Sequence, residues 1–491
     1  MIKYVLLILS IVWAINSSAQ TIYFNNLYGK TSRAEASFGI TSIDSNYFIT
    51  GLSIPAHSII PRSELTICIN QKGYTIWTRQ DSTNNPIGGD IGQLNNDAIY
   101  EIGNADFPYN QTFCLKKLKP NGDSVWTKYY QFRLLDFGQS IIPTRDFGLL
   151  IVGTLNSDST DTYYDAYNDK VCLIKTDSNG NIQWVDSLLE DTTGSYAVKG
   201  IENDDHSFTI TGWYGLDALV FKVDSVGNLL WYKTFNSAYN EEVGASIVNV
   251  PDKGYLIGGY ISEGEVDFVE YYSYLLLKID SDGNLQWQKT YGDSLAAWGF
   301  RQIAKTLDGN YILIGSSQNY LGDTVFANLF KMDTAGNVLF ERNYYKIPYP
   351  SDNWDGLTYD VLATPDSGYI FVGSNTDTTQ HVWVVKTDKY GCDSVGCQNA
   401  TGIAPIKIQS SSFNIYPNPA ITQATVLYTV PENIQQVNLF VYDITGRRVE
   451  QQKLDKYSHQ TTIDVSTLAT GLYLVELKTD DGNMVKKLVV E

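Results

Sequence analysis

The chain has 491 residues, too long for one ordinary hydrophobic core, and this length predicts about three domains. Acidic residues outnumber basic residues by 54 to 35, and the net charge at pH 7 is -19. Because the sequence contains no basic stripe, nucleic acid and anionic membrane surfaces are poor candidates for partners. Tyrosine is abundant, with 35 residues, and methionine is rare, with 3, a composition that favours strands over helices.

The first 19 residues have the pattern of a secretory signal peptide. Lys3 supplies a positive charge, residues 5–15 form a short apolar run, and Ser17, Ser18 and Ala19 are small. This pattern predicts cleavage after Ala19. The apolar run is too short to span a bilayer, and no later stretch is apolar enough to do so, so we expect no transmembrane segment in the mature chain. Export also permits disulfide bonds.

A turn motif built around a glycine recurs along the chain at intervals of roughly 53 residues. An aromatic residue follows the glycine by four positions in every copy but the seventh, as Gly283 and Trp287 illustrate. The seven glycines are Gly73, Gly122, Gly180, Gly227, Gly283, Gly336 and Gly391. This periodicity predicts seven repeats of one structural unit.

A second marker lies between successive copies of the first. It is a short apolar run that ends in glycine, such as the run "YILIG" that ends at Gly315. Each repeat therefore contains four short strands, here called a to d in chain order. Four-stranded units at this period predict a seven-bladed β-propeller, which we assign to residues 20–397. We expect a monomer.

The seventh repeat has no strand d of its own. The mature N-terminus, residues Thr21 to Tyr28, resembles the strand d segments of the other repeats. We therefore predict that this segment adds the missing outer strand to the last blade. Such a closure would join the two ends of the ring and remove an open sheet edge.

The turn between strands c and d raises a choice between a hairpin and a calcium loop. Asp280, three residues before Gly283, is typical of both. The equivalent residue of the second repeat is Lys119, which does not suit a cation, and no bidentate glutamate of the EF-hand type follows. The pattern favours a hairpin turn, with a calcium loop as the alternative.

The repeat pattern stops after Cys397. Residues 398–411 read as a polar linker, and residues 412–491 contain about seven strands with alternating polar and apolar residues. This pattern predicts a small immunoglobulin-like β-sandwich. The predicted fold class is therefore all-β, a seven-bladed propeller followed by a sandwich.

The C-terminal segment also resembles a known family, the type A C-terminal sorting domain of the type IX secretion system of Bacteroidota. The residues that carry the resemblance are Tyr416, Pro417, Asn418, Pro419, Tyr442, Asp443, Gly446, Gly471, Tyr473, Lys486 and Lys487. The resemblance implies passage through the Sec system and export across the outer membrane by the type IX machinery. It places the mature protein outside the cell or on its surface. An ordinary immunoglobulin-like module is the alternative.

The propeller repeats are distantly similar to quinoprotein repeats through the element Asp-x-x-Gly-x-x-x-Trp. The site residues that would hold a quinone are not found in this sequence, so we do not expect this cofactor.

The five cysteines fall into two groups. Cys392 and Cys397 flank a short loop at the end of the last blade, where we predict a disulfide bond. Cys68, Cys114 and Cys172 lie in predicted c strands and are expected to be small buried residues. The cysteine and histidine spacing does not match a zinc site. A catalytic pair of His57 and His381, in neighbouring blades, is a minor alternative to two ordinary loop histidines.

The connections between strands d and a and between strands b and c are long and varied, and all lie on one face of a propeller. Loops on a rigid scaffold often carry function, and aromatic-rich loops suit sugars or protein partners. The candidate ligand-binding residues are Tyr163, Tyr164, Tyr271, Tyr272 and Trp354. The alternative is that these loops are only solvated connections.

A carboxylate often precedes a glycine at the start of strand a. Converging carboxylates attract a hard cation, so calcium is the candidate cofactor. The candidate ligands are Asp90, Asp136, Glu242 and Asp355, and a solvated acidic rim is the alternative. We expect a binding or structural module for glycan or protein ligands. The alternative function is a polysaccharide-active enzyme that uses axial carboxylates.

Overall fold

The computed structural model describes residues 22–490 except for 31, 56–60, 107–110, 134, 157–168, 190–193, 237–240, 267–268, 293–296, 319–324, 345–356, 377–378, 395–396, 398–411, 417, 431–435, 444–446, 456, 459 and 480–481. Within these residues the regular elements are β-strands.

The described N-terminal part of the chain forms seven four-stranded antiparallel units, which are the blades of the propeller. A single parallel pairing, of Leu135 with Gln111, joins the second and third units into one eight-stranded sheet. Strand β1 (Phe24–Tyr28) comes first. Blade 1 consists of β2 (Arg33–Ile43), β3 (Asn46–Pro55), β4 (Ser63–Asn70) and β5 (Thr75–Asp81). Blade 2 consists of β6 (Ile87–Leu94), β7 (Ala98–Asp106), β8 (Gln111–Leu118) and β9 (Ser124–Tyr130). Blade 3 consists of β10 (Leu135–Pro143), β11 (Leu149–Asn156), β12 (Asp169–Thr176) and β13 (Ile182–Leu188).

The remaining blades repeat this order. Blade 4 consists of β14 (Ser195–Glu202), β15 (Phe208–Tyr214), β16 (Asp217–Val223) and β17 (Leu229–Phe235). Blade 5 consists of β18 (Glu242–Asn249), β19 (Tyr255–Val266), β20 (Val269–Ile279) and β21 (Leu285–Tyr291). Blade 6 consists of β22 (Ala297–Lys305), β23 (Tyr311–Gln318), β24 (Val325–Met332) and β25 (Val338–Tyr344). Blade 7 contains β26 (Thr358–Ala363), β27 (Tyr369–Thr376) and β28 (Gln380–Thr387).

The first strand of each blade contacts the first strand of the next, from β2 through β26 and back to β2. Strand a is therefore the innermost strand, and the seven a strands surround a central channel. The seven-bladed propeller predicted from the repeat is confirmed by this arrangement.

The N-terminal strand closes the ring as predicted. Strand β1 pairs antiparallel with β28, from Phe24 opposite Lys386 to Tyr28 opposite Val382. The side chain of Asn25 accepts a hydrogen bond of 2.8 Å from the indole N–H of Trp383. The last blade thus takes three strands from one end of the propeller segment and the fourth from the other.

The recurring aromatic residue of strand d packs on the turn glycine of the next blade. A Cβ atom added to Gly227 would lie 3.1 Å from the ring of Trp184, so only glycine fits beneath this ring. The same contact occurs at every junction, through the pairs Trp77–Gly122, Trp126–Gly180, Trp184–Gly227, Trp231–Gly283, Trp287–Gly336 and Phe340–Gly391. At the closing junction, Phe24 of β1 lies against Gly73.

In five of the seven blades, the turn after strand c is held by its own aspartate, as Asp280 shows. One carboxylate oxygen of Asp280 accepts the backbone N–H groups of Asp282 and Asn284 at 2.9 and 2.8 Å. The other oxygen accepts the side-chain amide of Asn284 at 3.0 Å. Gly283 has φ +82°, a conformation that glycine adopts at little cost. The hairpin interpretation of this turn is confirmed.

The C-terminal segment has seven strands in two sheets. They are β29 (Ser412–Tyr416), β30 (Gln423–Thr429), β31 (Val437–Asp443), β32 (Arg448–Leu454), β33 (Gln460–Asp464), β34 (Gly471–Thr479) and β35 (Gly482–Val490). One sheet has the order β29-β30-β33 and the other β32-β31-β34-β35. Val426, Ile463, Val475 and Leu488 are buried between them, so the segment has its own core.

The closing contact yields a prediction about stability. Phe24 is only 8% exposed, so Phe24→Ala should lower the free energy of unfolding of the ring by about 3 kcal/mol, as for other buried phenylalanines. Apart from Trp13, every tryptophan lies between residues 77 and 383, so tryptophan fluorescence in a urea titration reports on the ring alone. Tyr74→Ala is the control, because Tyr74 is 68% exposed on the neighbouring turn. Equal midpoints for the two variants would contradict closure by β1.

Candidate functional site

Each inner strand carries a β-bulge at the same place, and the bulge positions one residue per blade at the channel. In blade 2, for example, the pairing with β7 shifts by one residue between Gly88 and Asp90. The residues that follow the bulges are Gly39, Asp90, Ser140, Lys199, Ser246, Gln302 and Asp360. We call this set the axial ring.

Polar members of the axial ring join three pairs of neighbouring blades through backbone N–H groups. Asp360 accepts the backbone N–H of Ile40 at 2.9 Å, and Asp90 accepts that of Ile141 at 3.1 Å. Ser246 accepts the backbone N–H of Ile303 at 3.1 Å in the same way. These bonds satisfy backbone N–H groups of the inner strands, whose channel-side edge has no neighbouring strand in its own blade.

Lys199 is the one cation of the axial ring, and it reaches past blade 3 to blade 2. Its ammonium lies 2.8 Å from a carboxylate oxygen of Asp90 and also interacts with Asp360 of blade 7. Burial alone would lower the pKa of Lys199, but the two carboxylates outweigh burial and raise it. Lys199 is therefore a permanent cation at neutral pH and unsuited to act as a nucleophile.

Asp360 has the more unusual environment. The side chain is buried, which raises its pKa to about 6, and nearby Asp90 adds to this effect while Lys199 opposes it. Its two oxygens accept the backbone N–H groups of Ile40 and Val361. The carboxyl group thus titrates near neutral pH while it holds two blades together.

The three described residues of the predicted calcium-ligand set occupy two different positions on the inner strands. Asp90 belongs to the axial ring, whereas Asp136 lies at the start of β10 and accepts the backbone N–H groups of Phe132 and Arg133 in its own loop. Burial raises the pKa of Asp136 to about 6. Glu242 begins β18, at the position equivalent to Asp136, and Asp355 lies outside the described residues.

Among the described residues, no group of three or more acidic, histidine or cysteine side chains could hold a metal ion. Asp90 lies after the bulge of its inner strand, whereas Asp136 and Glu242 lie before the bulges of theirs. A calcium ion that also involves Asp355 stays an untested prediction. The sequence did not identify Lys199, Asp360 or Glu35 as candidate site residues. Glu35 occupies in blade 1 the position that Asp136 occupies in blade 3.

The face that carries the d–a and b–c connections is here called the mouth face. Near it, Tyr196 and Trp213 of blade 4 stack with ring centroids 4.1 Å apart and planes within 8°. Tyr260 and Tyr272 of blade 5 pack edge to face at 5.2 Å. Phe38 and Tyr359 make a similar edge contact at 5.1 Å between blades 1 and 7. Three aromatic pairs thus lie near the channel entrance.

The predicted ligand-binding residues are only partly described. Tyr163, Tyr164 and Trp354 lie outside the described residues, as does His57. Tyr271 and Tyr272 both belong to β20. Tyr196 and Trp213 were not singled out from the sequence, although an aromatic residue in each of two paired strands is a readable signal.

The cysteines occupy the expected positions. Cys392 and Cys397 form a disulfide bond with Cα atoms 5.6 Å apart. Cys68, Cys114 and Cys172 are buried and free. Burial raises the pKa of Cys68 to about 11, so its thiol is not reactive at neutral pH.

Residues of the sorting motif join the beginning of the C-terminal segment to its last strand by hydrogen bonds. The side-chain amide of Asn418 donates to the carbonyl of Lys487 at 2.9 Å, and its oxygen accepts the N–H of Val489 at 2.8 Å. Tyr442 donates its hydroxyl to Glu476 at 2.9 Å. Other described residues of the motif are Tyr416, Pro419, Asp443, Gly471, Tyr473 and Lys486, whereas Pro417 and Gly446 lie outside the described residues.

Residues 414–491 match the family model of the secretion system C-terminal sorting domain. The sandwich is a sorting domain. Such a domain indicates export to the cell surface or the extracellular space, and it implies contact with the secretion machinery. In the described part of the chain, no helix has the length and apolar character needed to cross a membrane.

None of the curated proteins matches the chain. Among solved structures, a protein of unknown function from Bacteroides caccae shares 11% identity over 60% of this chain and 91% of its own, with a TM-score of 0.38. The α-L-arabinanase of Penicillium chrysogenum, complexed with arabinobiose, shares 13% identity over 71% of this chain and 99% of its own, with a TM-score of 0.45. An α-L-arabinofuranosidase of Fusarium graminearum shares 9% identity over 75% of this chain and 97% of its own, with a TM-score of 0.39.

The axial ring predicts a pH-dependent stability. Asp360 has an ordinary pKa of 3.8 when unfolded and about 6 when folded, so the folded state binds this proton more tightly. The resulting stabilisation is present below pH 4 and is lost as the pH rises to about 6. Asp360→Asn should abolish this component, so the stability of the variant relative to wild type should increase between pH 4 and pH 6. Urea titrations followed by tryptophan fluorescence at pH 4, 5 and 6 measure it.

Asp97→Asn provides the control, because Asp97 is an exposed acid on the a–b turn of blade 2. Its difference from wild type should stay constant with pH. Lys199→Met should move the Asp360 transition to higher pH, because it removes the cation that lowers the pKa of this carboxyl. A pH profile of Asp360→Asn that runs parallel to wild type would refute the assignment.

Proposed function

We propose that the propeller is an exported binding module whose mouth face takes a glycan on the stacked pair Tyr196–Trp213. The observation that carries the proposal is this pair of parallel rings, both half-buried, on adjacent strands of blade 4. Aromatic side chains offer a flat apolar surface and a polar edge, the combination that suits the two kinds of surface on a sugar ring.

The architecture of blade 4 supports access to this pair. Its strands b and c are joined by only two residues, Gly215 and Leu216, and β15 ends two residues after Gly212. In blade 5, β19 continues seven residues past the equivalent Gly259. Blade 4 is thus shorter than its neighbour on the mouth face. Leu216 at the tip is 61% exposed, and the amide of Gln139 from blade 3 donates to the hydroxyl of Tyr196.

The alternative function is a polysaccharide-active enzyme that uses the axial carboxylates Asp90 and Asp360. The raised pKa of Asp360, about 6, favours it, because a general acid needs such a value. Against it, both oxygens of Asp360 accept backbone N–H groups, and Asp90 is paired with Lys199. These engaged carboxylates favour binding over catalysis.

Binding can be tested by affinity electrophoresis of the full mature chain in gels that contain arabinan, mannan, xylan or β-glucan. At least one polysaccharide should retard the wild type. Trp213→Ala should weaken that retention at least tenfold, about 1.4 kcal/mol, because it removes half of the aromatic surface. Tyr74→Ala is the matched control, since Tyr74 is an exposed aromatic on the opposite face.

The proposal is wrong if Trp213→Ala is retained like wild type. Loss of retention with Tyr74→Ala alone would move the site to the face of the c–d turns. Release of reducing ends by wild type but not by Asp360→Asn would favour the enzyme instead.

Export by the type IX machinery is testable by truncation. A chain that ends before Phe413 lacks the whole sorting domain but keeps the ring and its disulfide. It should accumulate in the periplasm, because the export signal has been removed. Cell fractionation with protease protection measures this, and Tyr457→Ala in the full chain is the control, because Tyr457 is an exposed residue of the domain outside the motif. Normal surface levels of the truncated chain would contradict the prediction.

A further inference from the structure

A cleft of about 430 Å³ opens where the N-terminal strand meets the first blade, at the outer circumference of the ring. We call it the closure cleft. One wall is the end of β1 and the residues after it, and the other is formed by β4 and β5 of blade 1. The lining of the cleft includes Leu27, Lys30, Glu35, Ile67, Thr78 and Gln80. The cleft exists only when β1 has joined blade 7, so closure of the ring also builds this cavity.

A buried carboxylate forms the polar end of the closure cleft. Glu35 is 2% exposed, and its oxygen Oε1 accepts the hydroxyl of Ser53 at 2.8 Å and the amide of Gln80 at 3.1 Å. Among the described residues, the hydrogen-bond donor to its oxygen Oε2 is the backbone N–H of Lys30, at 3.3 Å. A carboxylate oxygen can accept two hydrogen bonds, so Oε2 retains capacity for a ligand hydroxyl.

Gly29 keeps this end of the cleft open. Its φ is +143°, and a Cβ atom there would collide with Oε2 of Glu35 and lie 2.9 Å from Nδ1 of His381. The absent side chain therefore lets the carboxylate of blade 1 and the imidazole of blade 7 approach the same point. Two side chains from the two ends of the ring thus lie beside Gly29, which is one of the residues that line the cleft.

We propose that the closure cleft is a binding site for a neutral polyhydroxylated ligand of pyranose size. Glu35 and Lys30 carry opposite charges, so the lining does not favour an anion or a cation. The carboxylate accepts and the lysine donates hydrogen bonds to hydroxyls, while Thr78 and Gln80 do both. Leu27 and Ile67 cover the apolar face of a sugar ring.

A second groove between blades differs from the closure cleft in the charge of its lining. A groove of about 370 Å³ lies at the equivalent place between blades 4 and 5, with Lys233, Asn284 and Gln288 in its wall. In the part of this groove that the structure describes, the lining includes no acidic side chain. Thr78 and Gln288 are both five residues after a turn glycine, so they provide matched positions for filling one groove or the other.

The test is saturation-transfer NMR of the full mature chain with D-glucose, D-galactose, D-mannose and L-arabinose as separate probes. Wild type should transfer saturation to the ring protons of at least one sugar. Thr78→Trp should reduce the affinity at least tenfold by filling the cleft, and Gln288→Trp should leave it unchanged. Glu35→Gln should also weaken binding at least tenfold, with melting temperature as the check on folding.

Trp213→Ala separates this site from the mouth face, because it should abolish polysaccharide retention and leave monosaccharide transfer intact. The proposal is overturned if wild type transfers no saturation to any of the four sugars. It is also overturned if Thr78→Trp binds like wild type, or if Trp213→Ala removes the monosaccharide signal. The mouth-face glycan proposal is unaffected if wild type transfers no saturation, and it is unaffected if Thr78→Trp binds like wild type.

Discussion

The packing of a strand d aromatic ring on the turn glycine of the next blade is the contact on which the propeller depends. Each blade is a flat sheet that cannot cover both of its faces alone. The aromatic–glycine contact joins neighbouring blades at their outer strands, while the axial ring joins them at the channel. Because seven equal junctions must close, the last blade borrows Phe24 from the N-terminus to complete the series.

The face opposite the mouth face carries repeated ion pairs that stabilise the fold. In five blades, a lysine of strand c pairs with an aspartate of the a–b turn, as Lys278 does with Asp252 at 2.8 Å. The other pairs are Lys175–Asp146, Lys222–Asp205, Lys331–Asp308 and Lys386–Asp366. A repeated pair of this kind fixes the turn geometry in these five blades. Variation is therefore concentrated on the mouth face, where the blade 4 and blade 5 connections differ in length.

Most of the architecture was readable from the sequence because the glycine and aromatic residues recur with a fixed spacing. The seventh repeat lacks its aromatic residue and its strand d, and these two gaps identified β1 as the closing strand. The c–d turn was also predictable, since Asp280 bonds its own backbone and needs no distant partner.

The candidate site was less readable, because it depends on a β-bulge that leaves no mark in the sequence. Asp90 follows the bulge of its strand and Asp136 precedes the bulge of its own, so two carboxylates with the same sequence pattern do not share a position in the ring. Asp90 and Asp136 share a carboxylate-x-glycine pattern, and this pattern predicted that they lie together. In the structure, Asp90 forms an ion pair with Lys199. Pairing of Lys199 with a residue two blades away requires the closed ring, and no local spacing predicts it.

Native-state hydrogen exchange of β1 tests ring closure most directly. If the strand is an integral part of blade 7, its amides should exchange as slowly as those of β26, β27 and β28, because all four would open in one cooperative unit. Mass spectrometry of peptides covering residues 22–29 and 369–387 gives both rates in one experiment. Exchange of the N-terminal peptide as fast as the exposed turn at 71–74, with the rest of blade 7 protected, would show that β1 does not close the ring.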